Sequence, residues 1–207
     1  MEFVGNISLI PFLSDTFYSL LIDLVNTSEL HPEKISYPAG AVIIGVACVE
    51  GYINELIYMG SLGQAEGENK RLQRKLENFG TDIIKKLKLL KKKARKDEEI
   101  SEELLDDFRL LYGLRGKLVH YKVQEEKPND PAYISRLEAL ERRLFKDRRP
   151  QGDISLDRML TTELAQWVRK LVFDLISALY KAGYEPPRPR WIELIDPKRF
   201  NPRANSN

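Results

Sequence analysis

The chain has 207 residues, of which 43% are hydrophobic and 31% are charged, and its formal net charge is +2. This length suits one domain with a tail, and the near-neutral charge does not by itself identify a nucleic-acid binder. The single cysteine, Cys48, excludes an intramolecular disulfide framework. Because the first twelve residues hold no Lys or Arg and no uninterrupted apolar run reaches ~18 residues, neither a secretory signal nor a membrane span is predicted, and we expect a cytoplasmic protein.

Apolar residues recur at three- and four-residue steps along most of the chain, which predicts helices. The first helix is expected from Leu13 to about His31, since the following proline cannot continue it. The second helix, about 39–59, is apolar on nearly every side and is expected at the centre of the core. Glu50 and Asn54 lie one helical turn apart on it.

A charged helix is predicted over about 68–96, with an interruption allowed at Gly80. It carries eight basic residues and no acid between Lys85 and Lys96. The next helix is expected to begin after Ser101, whose hydroxyl is a good cap, and to reach about residue 123.

Asp130 and Pro131 predict the start of a further helix, because a cap followed by proline suits a first turn. One long closing helix is expected over about 156–179, capped by Asp153 or Ser155 and stopped by Gly183. The sequence therefore predicts an all-α, up-and-down bundle of about five to six helices over residues 1–183. Residues 184–207, which include five prolines, are expected to form a Pro-rich C-terminal arm.

The helix before residue 123 carries two unusual stripes. Its core stripe of Leu104, Phe108, Leu111, Leu118 and Val119 includes Arg115, whose guanidinium cannot lose its charge and needs either a partner or an open cleft. A second stripe consists of Arg109, Gly113, Gly116 and His120. Two glycines inside a helix cost about 1 kcal/mol each relative to alanine, so we expect close approach by another helix or a phosphate backbone.

Arg115 and His120 do not point the same way on one regular helix. Five residues turn the helix by about 500°, which leaves the two side chains about 140° apart. Either the glycines permit a local bulge, or a two-fold partner brings a second copy of each residue. We favour the second interpretation, because the glycine stripe would let two such helices approach.

The segment Arg115-Gly116-Lys117-Leu118-Val119-His120 resembles the arginine–four residues–histidine signature of the HEPN family, the higher eukaryote and prokaryote nucleotide-binding domains. The order of helices over about residues 13–183 is also similar. The resemblance implies a homodimeric helical bundle with both Arg-His pairs at the seam. Many members are metal-independent endoribonucleases, often toxins in stress or phage-defence systems with a partner antitoxin. Active members commonly have Asn, Asp or His directly after the arginine, where this chain has Gly116.

The resemblance assigns chemistry to these positions, with RNA as substrate, no metal, no cofactor and no membrane. Arg115 would hold the phosphate and His120 would move the proton, because imidazole titrates near neutral pH. Glu50, Asn54 and Gly116 are expected to support the site, and the alternative for Glu50 and Asn54 is that they tie helices together by buried hydrogen bonds. Basic residues are expected to hold the RNA backbone, namely Lys91, Lys92, Lys93, Arg148 and Arg149.

Two alternatives of other classes remain open. The first is a catalytically inactive helical binding or scaffold module, which Gly116 favours. The second is a bundle that binds nucleic acid through the lysine run without cleaving it, in which case binding would be sensitive to salt. The lysine run is also typical of a solvated helix face.

Overall fold

The computed structural model describes residues 13–58, 66–94, 100–119, 131–145 and 156–184. The regular elements in these ranges are all α-helices: α1 Leu13–Leu30, α2 Ser36–Tyr58, α3 Glu66–Asn78, α4 Ile83–Lys93, α5 Glu102–Val119, α6 Pro131–Leu144, α7 Leu156–Met159 and α8 Thr162–Lys181. The predicted all-α bundle is thereby confirmed. The predicted arm, apart from Tyr184, lies outside the described residues.

Helix α2 is the centre of the bundle and packs against α1, α5 and α8. Most of its described apolar side chains are buried, as the sequence predicts, and Tyr52 and Ile53 are among the largest of them. Two glycines allow close contacts. A Cβ on Gly45 would lie 2.5 Å from a methyl group of Val168 on α8, and a Cβ on Gly51 would lie 3.2 Å from the backbone nitrogen of Ser14 on α1.

One stretch in the described part of the chain, Ser36–Ile57 of α2, is long and apolar enough to cross a membrane by length and composition alone. The sequence contains no uninterrupted apolar run of that length, because Glu50, Asn54 and Glu55 interrupt it. Of its most apolar window, 61% is buried inside the fold. This burial is what the central helix of a packed bundle shows.

The charged region is two helices and not one. Gly80 adopts a φ of +53°, a conformation that favours glycine, and it ends α3. Asp82 then starts α4, because its carboxylate accepts a hydrogen bond of 3.0 Å from the backbone N–H of Lys85. The interruption allowed at Gly80 is therefore confirmed, and it gives α4 its own direction toward α2 and α5.

The closing helix differs from its prediction. The continuous helix expected from about residue 156 is broken at Leu160, and α8 begins after Thr161, whose hydroxyl accepts from the backbone N–H of Leu164. Because the leucine stripe continues across this point, the sequence analysis did not identify Thr161 as a cap. The predicted stop is confirmed: Gly183 has a φ of +96°, its N–H donates to the carbonyl of Tyr180, and Tyr184 N–H donates to that of Leu179. This pair of bonds is a Schellman motif.

Helix α5 begins as predicted, because the Ser101 hydroxyl accepts a hydrogen bond of 3.1 Å from the backbone N–H of Leu104. Its buried face is rotated from the predicted one. Leu105 and Leu114 are buried, whereas Val119 is 48% exposed and does not belong to the core stripe. The last turn of α5 therefore leaves the core, and Arg115 lies where the buried face opens.

Candidate functional site

Arg115 lies in the penultimate turn of α5 and is partly buried. Within the described residues it makes no hydrogen bond, and no carboxylate lies within 4 Å of it. Its interaction with the chain is electrostatic, with the carboxylate of Glu50 on α2. A guanidinium at the edge of a core is suited to binding an anion when its N–H donors are not hydrogen-bonded to the described residues.

Helix α5 is continuous through both of its glycines. Residues Glu102–Val119 form one α-helix, and the described residues include no non-glycine residue with positive φ. The bulge considered from the sequence is therefore absent between Arg115 and Val119. A Cβ on Gly116 would meet nothing within 4 Å in the described part of the chain. His120 lies outside the described residues, so its distance from Arg115 stays a prediction.

Glu50 and Asn54 form a polar edge on the otherwise apolar α2. Asn54 is exposed and Glu50 is partly buried. Burial raises the pKa of the Glu50 carboxyl, and the positive charges of Arg115 and Lys86 oppose that rise. Glu50 and Arg115 therefore interact electrostatically between α2 and α5, and their role in one site stays a prediction.

Lys86 on α4 is the residue that the sequence reasoning missed. Only 6% of it is exposed, and its ammonium donates a hydrogen bond of 3.0 Å to the Oδ1 atom of Asn54. Burial lowers the pKa of Lys86, and the negative charge of Glu50 opposes this effect. Its position was a usable signal, because it falls in the apolar stripe of α4 with Ile83, Leu87 and Leu90.

These four side chains, Glu50, Asn54, Lys86 and Arg115, are called the polar cluster below. They come from three helices, α2, α4 and α5. Two cations act on one carboxylate, so one positive charge remains uncompensated within the cluster. Such a cluster has the charge to attract a phosphate, and a carboxylate to hold the arginine in place.

The predicted RNA-binding residues differ in their surroundings. Lys91 donates to the carboxylate of Glu102 at 2.7 Å, which joins α4 to α5. Lys92 and Lys93 are exposed at the end of α4. Arg148 and Arg149 lie outside the described residues, so their role in holding the RNA backbone stays a prediction.

A metal site and a nucleophilic cysteine have less support in the described ranges. No group of three or more His, Cys, Asp or Glu side chains is placed there to hold a metal ion. Cys48 is buried and donates to the carbonyl of Ser14 at 3.4 Å. Burial raises the pKa of its thiol, and a thiol held in its neutral form is a poor nucleophile.

Comparison with models of protein families, with curated proteins and with solved structures finds no match to this chain.

Proposed function

We propose that the chain is a HEPN-type, metal-independent endoribonuclease in which Arg115 and His120 act on one phosphate of the RNA backbone. The observation that carries this proposal is the state of Arg115. It is a partly buried guanidinium, it has no hydrogen-bond partner in the described ranges, and it interacts electrostatically with Glu50 of α2. The Arg-His signature supplies the second group.

The proposed reaction needs only the RNA and these two side chains. The 2′-hydroxyl attacks the neighbouring phosphorus, so that a new P–O bond forms while the bond to the 5′-oxygen breaks. His120 takes or delivers the proton, which contributes ~10²–10⁴-fold. Arg115 binds phosphate oxygens as their charge grows, a donor worth ~10²–10³-fold in comparable sites. The products are a 2′,3′-cyclic phosphate and a 5′-hydroxyl.

We also propose that the working form is a homodimer in the cytoplasm. Helix α5 is regular as far as Val119. If the helix continued regularly to His120, that side chain would point about 140° away from Arg115. A second copy related by a two-fold axis would supply the histidine that one helix turns away. A toxin or phage-defence role, with an antitoxin as partner, follows from the resemblance alone.

The test is incubation of the purified protein with total RNA and with tRNA in EDTA. We expect cleavage by the wild type, and loss of at least about a hundredfold in rate in His120→Ala and in Arg115→Met. His31→Ala is the matched control, because His31 is the other histidine of the chain and is exposed after α1. Arg142→Met, on the exposed face of α6, is the control for arginine.

Each variant is compared with the wild type by circular dichroism and thermal unfolding, which separates lost chemistry from lost fold. Cleavage that survives His120→Ala in a folded protein would overturn the ribonuclease proposal. Equal losses in His120→Ala and His31→Ala would do the same.

The second candidate is a catalytically inactive helical module that binds a partner protein. Gly116 favours it, because the position next to Arg115 carries no polar side chain and faces open space in the described part of the chain. This candidate predicts a stable partner in pull-down experiments and intact RNA under the same conditions. Substitution of Arg115 would then weaken the partner complex.

A further inference from the structure

A lysine lies in the core-facing stripe of α4, where leucine or isoleucine would be expected. Lys86 follows Ile83 by three residues and precedes Leu90 by four, and it is 6% exposed. Burying an ammonium is costly unless it is paired and hydrogen-bonded. The described residues supply one hydrogen bond, to the Oδ1 atom of Asn54 at 3.0 Å. Packing of the core therefore does not explain the cation at this position, where an apolar side chain would be expected.

The Lys86 ammonium lies near the carboxylate on which Arg115 also acts. Asn54, its hydrogen-bond partner, lies one turn after Glu50 on α2, and the charges of Lys86 and Glu50 attract one another. The positive charge of Arg115, on the neighbouring helix α5, also acts on the Glu50 carboxylate. Glu50 therefore interacts electrostatically with two cations, the buried Lys86 and the partly buried Arg115.

We infer that Lys86 is a positioning residue that offsets the charge of Glu50 and holds Asn54, so that the donors of Arg115 stay available for an incoming phosphate. This inference rests on the proposed phosphate site at Arg115. Without Lys86, the carboxylate and the guanidinium would form a self-compensated pair. Arg115 would then turn toward Glu50 and lose affinity for anions.

The experiment measures phosphate binding at Arg115 directly. Inorganic phosphate is titrated into the full chain while the guanidinium Nε–H resonance of Arg115, assigned by its loss in Arg115→Met, is followed by NMR. In Lys86→Met we expect affinity to fall about tenfold, because one neighbouring charge near a partly buried group is removed. Methionine keeps the length of the side chain, and Lys88→Met on the exposed face of α4 is the matched control.

Substitution of Glu50 separates positioning from a merely structural role. If Lys86 acts by offsetting Glu50, the double variant Glu50→Gln with Lys86→Met recovers most of the lost affinity, because the competing carboxylate is gone. Glu50→Gln alone binds phosphate more tightly than the wild type. This single variant keeps the inference testable even if Lys86→Met fails to fold.

The outcomes distinguish the inference from the proposed function. Phosphate affinity unchanged in folded Lys86→Met, or a loss that Glu50→Gln does not recover, would overturn the role of Lys86. RNA left intact by a wild type whose phosphate affinity follows the expected order would overturn the ribonuclease and leave the role of Lys86 standing. RNA cleavage at equal rates in wild type and Lys86→Met would support the ribonuclease and overturn the role of Lys86.

Discussion

Helices α2 and α8 cross so closely at Gly45 that one added methyl group should lower the free energy of unfolding. A Cβ there would lie 2.5 Å from a methyl group of Val168 and 3.4 Å from one of Val172. Carbon atoms in contact prefer about 3.5–4.0 Å, so the Val168 methyl must move by about 1 Å. Valine has little freedom at χ1, and both valines are fully buried.

The expected cost of Gly45→Ala follows from these distances. Overpacking a well-packed core costs about 1–3 kcal/mol, whereas alanine in place of glycine gains about 1 kcal/mol inside a helix. The net loss in the free energy of unfolding is then up to about 2 kcal/mol. Gly116→Ala is the matched control, because its Cβ meets nothing in the described ranges and only the gain of about 1 kcal/mol remains.

Thermal unfolding followed by circular dichroism measures both variants. For a chain of this size, 1 kcal/mol corresponds to about 2–4 °C in Tm. We expect Gly45→Ala to melt up to about 8 °C below the wild type and Gly116→Ala to melt about 2–4 °C above it. A Gly45→Ala protein that melts at or above the wild type would refute the close approach of α2 to α8.

Two further predictions concern the polar cluster and its neighbour. Burial raises the pKa of Glu50 above its value in the unfolded chain, so its contribution to stability is full below about pH 4 and is lost as the pH rises through the folded pKa. Glu50→Gln should therefore gain stability relative to the wild type between about pH 4 and pH 7 in urea unfolding, and a pH-independent difference would contradict this. Gly116→Asn has room for its side chain and should raise RNA cleavage in EDTA by about tenfold or more. A rate equal to that of Gly116→Ala would count against a polar role at this position.

Much of the fold was predictable because its signals are local. Helical periodicity, the cap at Ser101 and the glycines at Gly80 and Gly183 each act within one or two turns, as does the Asp82 cap, which the sequence analysis did not identify. The break before Thr161 was missed because a leucine stripe continues across it. Periodicity reports which face is buried, and it does not report whether the backbone stays helical between two apolar residues.

The candidate site was predictable only in part, because it is assembled from distant segments. Glu50 and Asn54 were identified on α2 and Arg115 on α5, and in the structure the positive charge of Arg115 acts on the Glu50 carboxylate. Lys86 was treated as one member of a basic run of solvated or RNA-binding side chains. Lys85, Lys88, Lys92 and Lys93 of that run are exposed, whereas Lys86 is buried and contacts Asn54 on α2, which the order of residues alone does not show.

Glycines inside the described helices differ in what surrounds them, and the difference bears on what meets α5. Gly45 and Gly51 are explained inside the chain, because α8 and α1 approach α2 at those positions. Gly116 gains no such contact among the described residues, yet it carries the same cost to helix stability. In the proposed dimeric ribonuclease, this cost would be offset by what α5 receives from outside the chain, and Arg115, the preceding residue, would supply charge for a phosphate. A second copy of α5 and an RNA backbone both fit such a surface, and the proposed dimeric site would contain both.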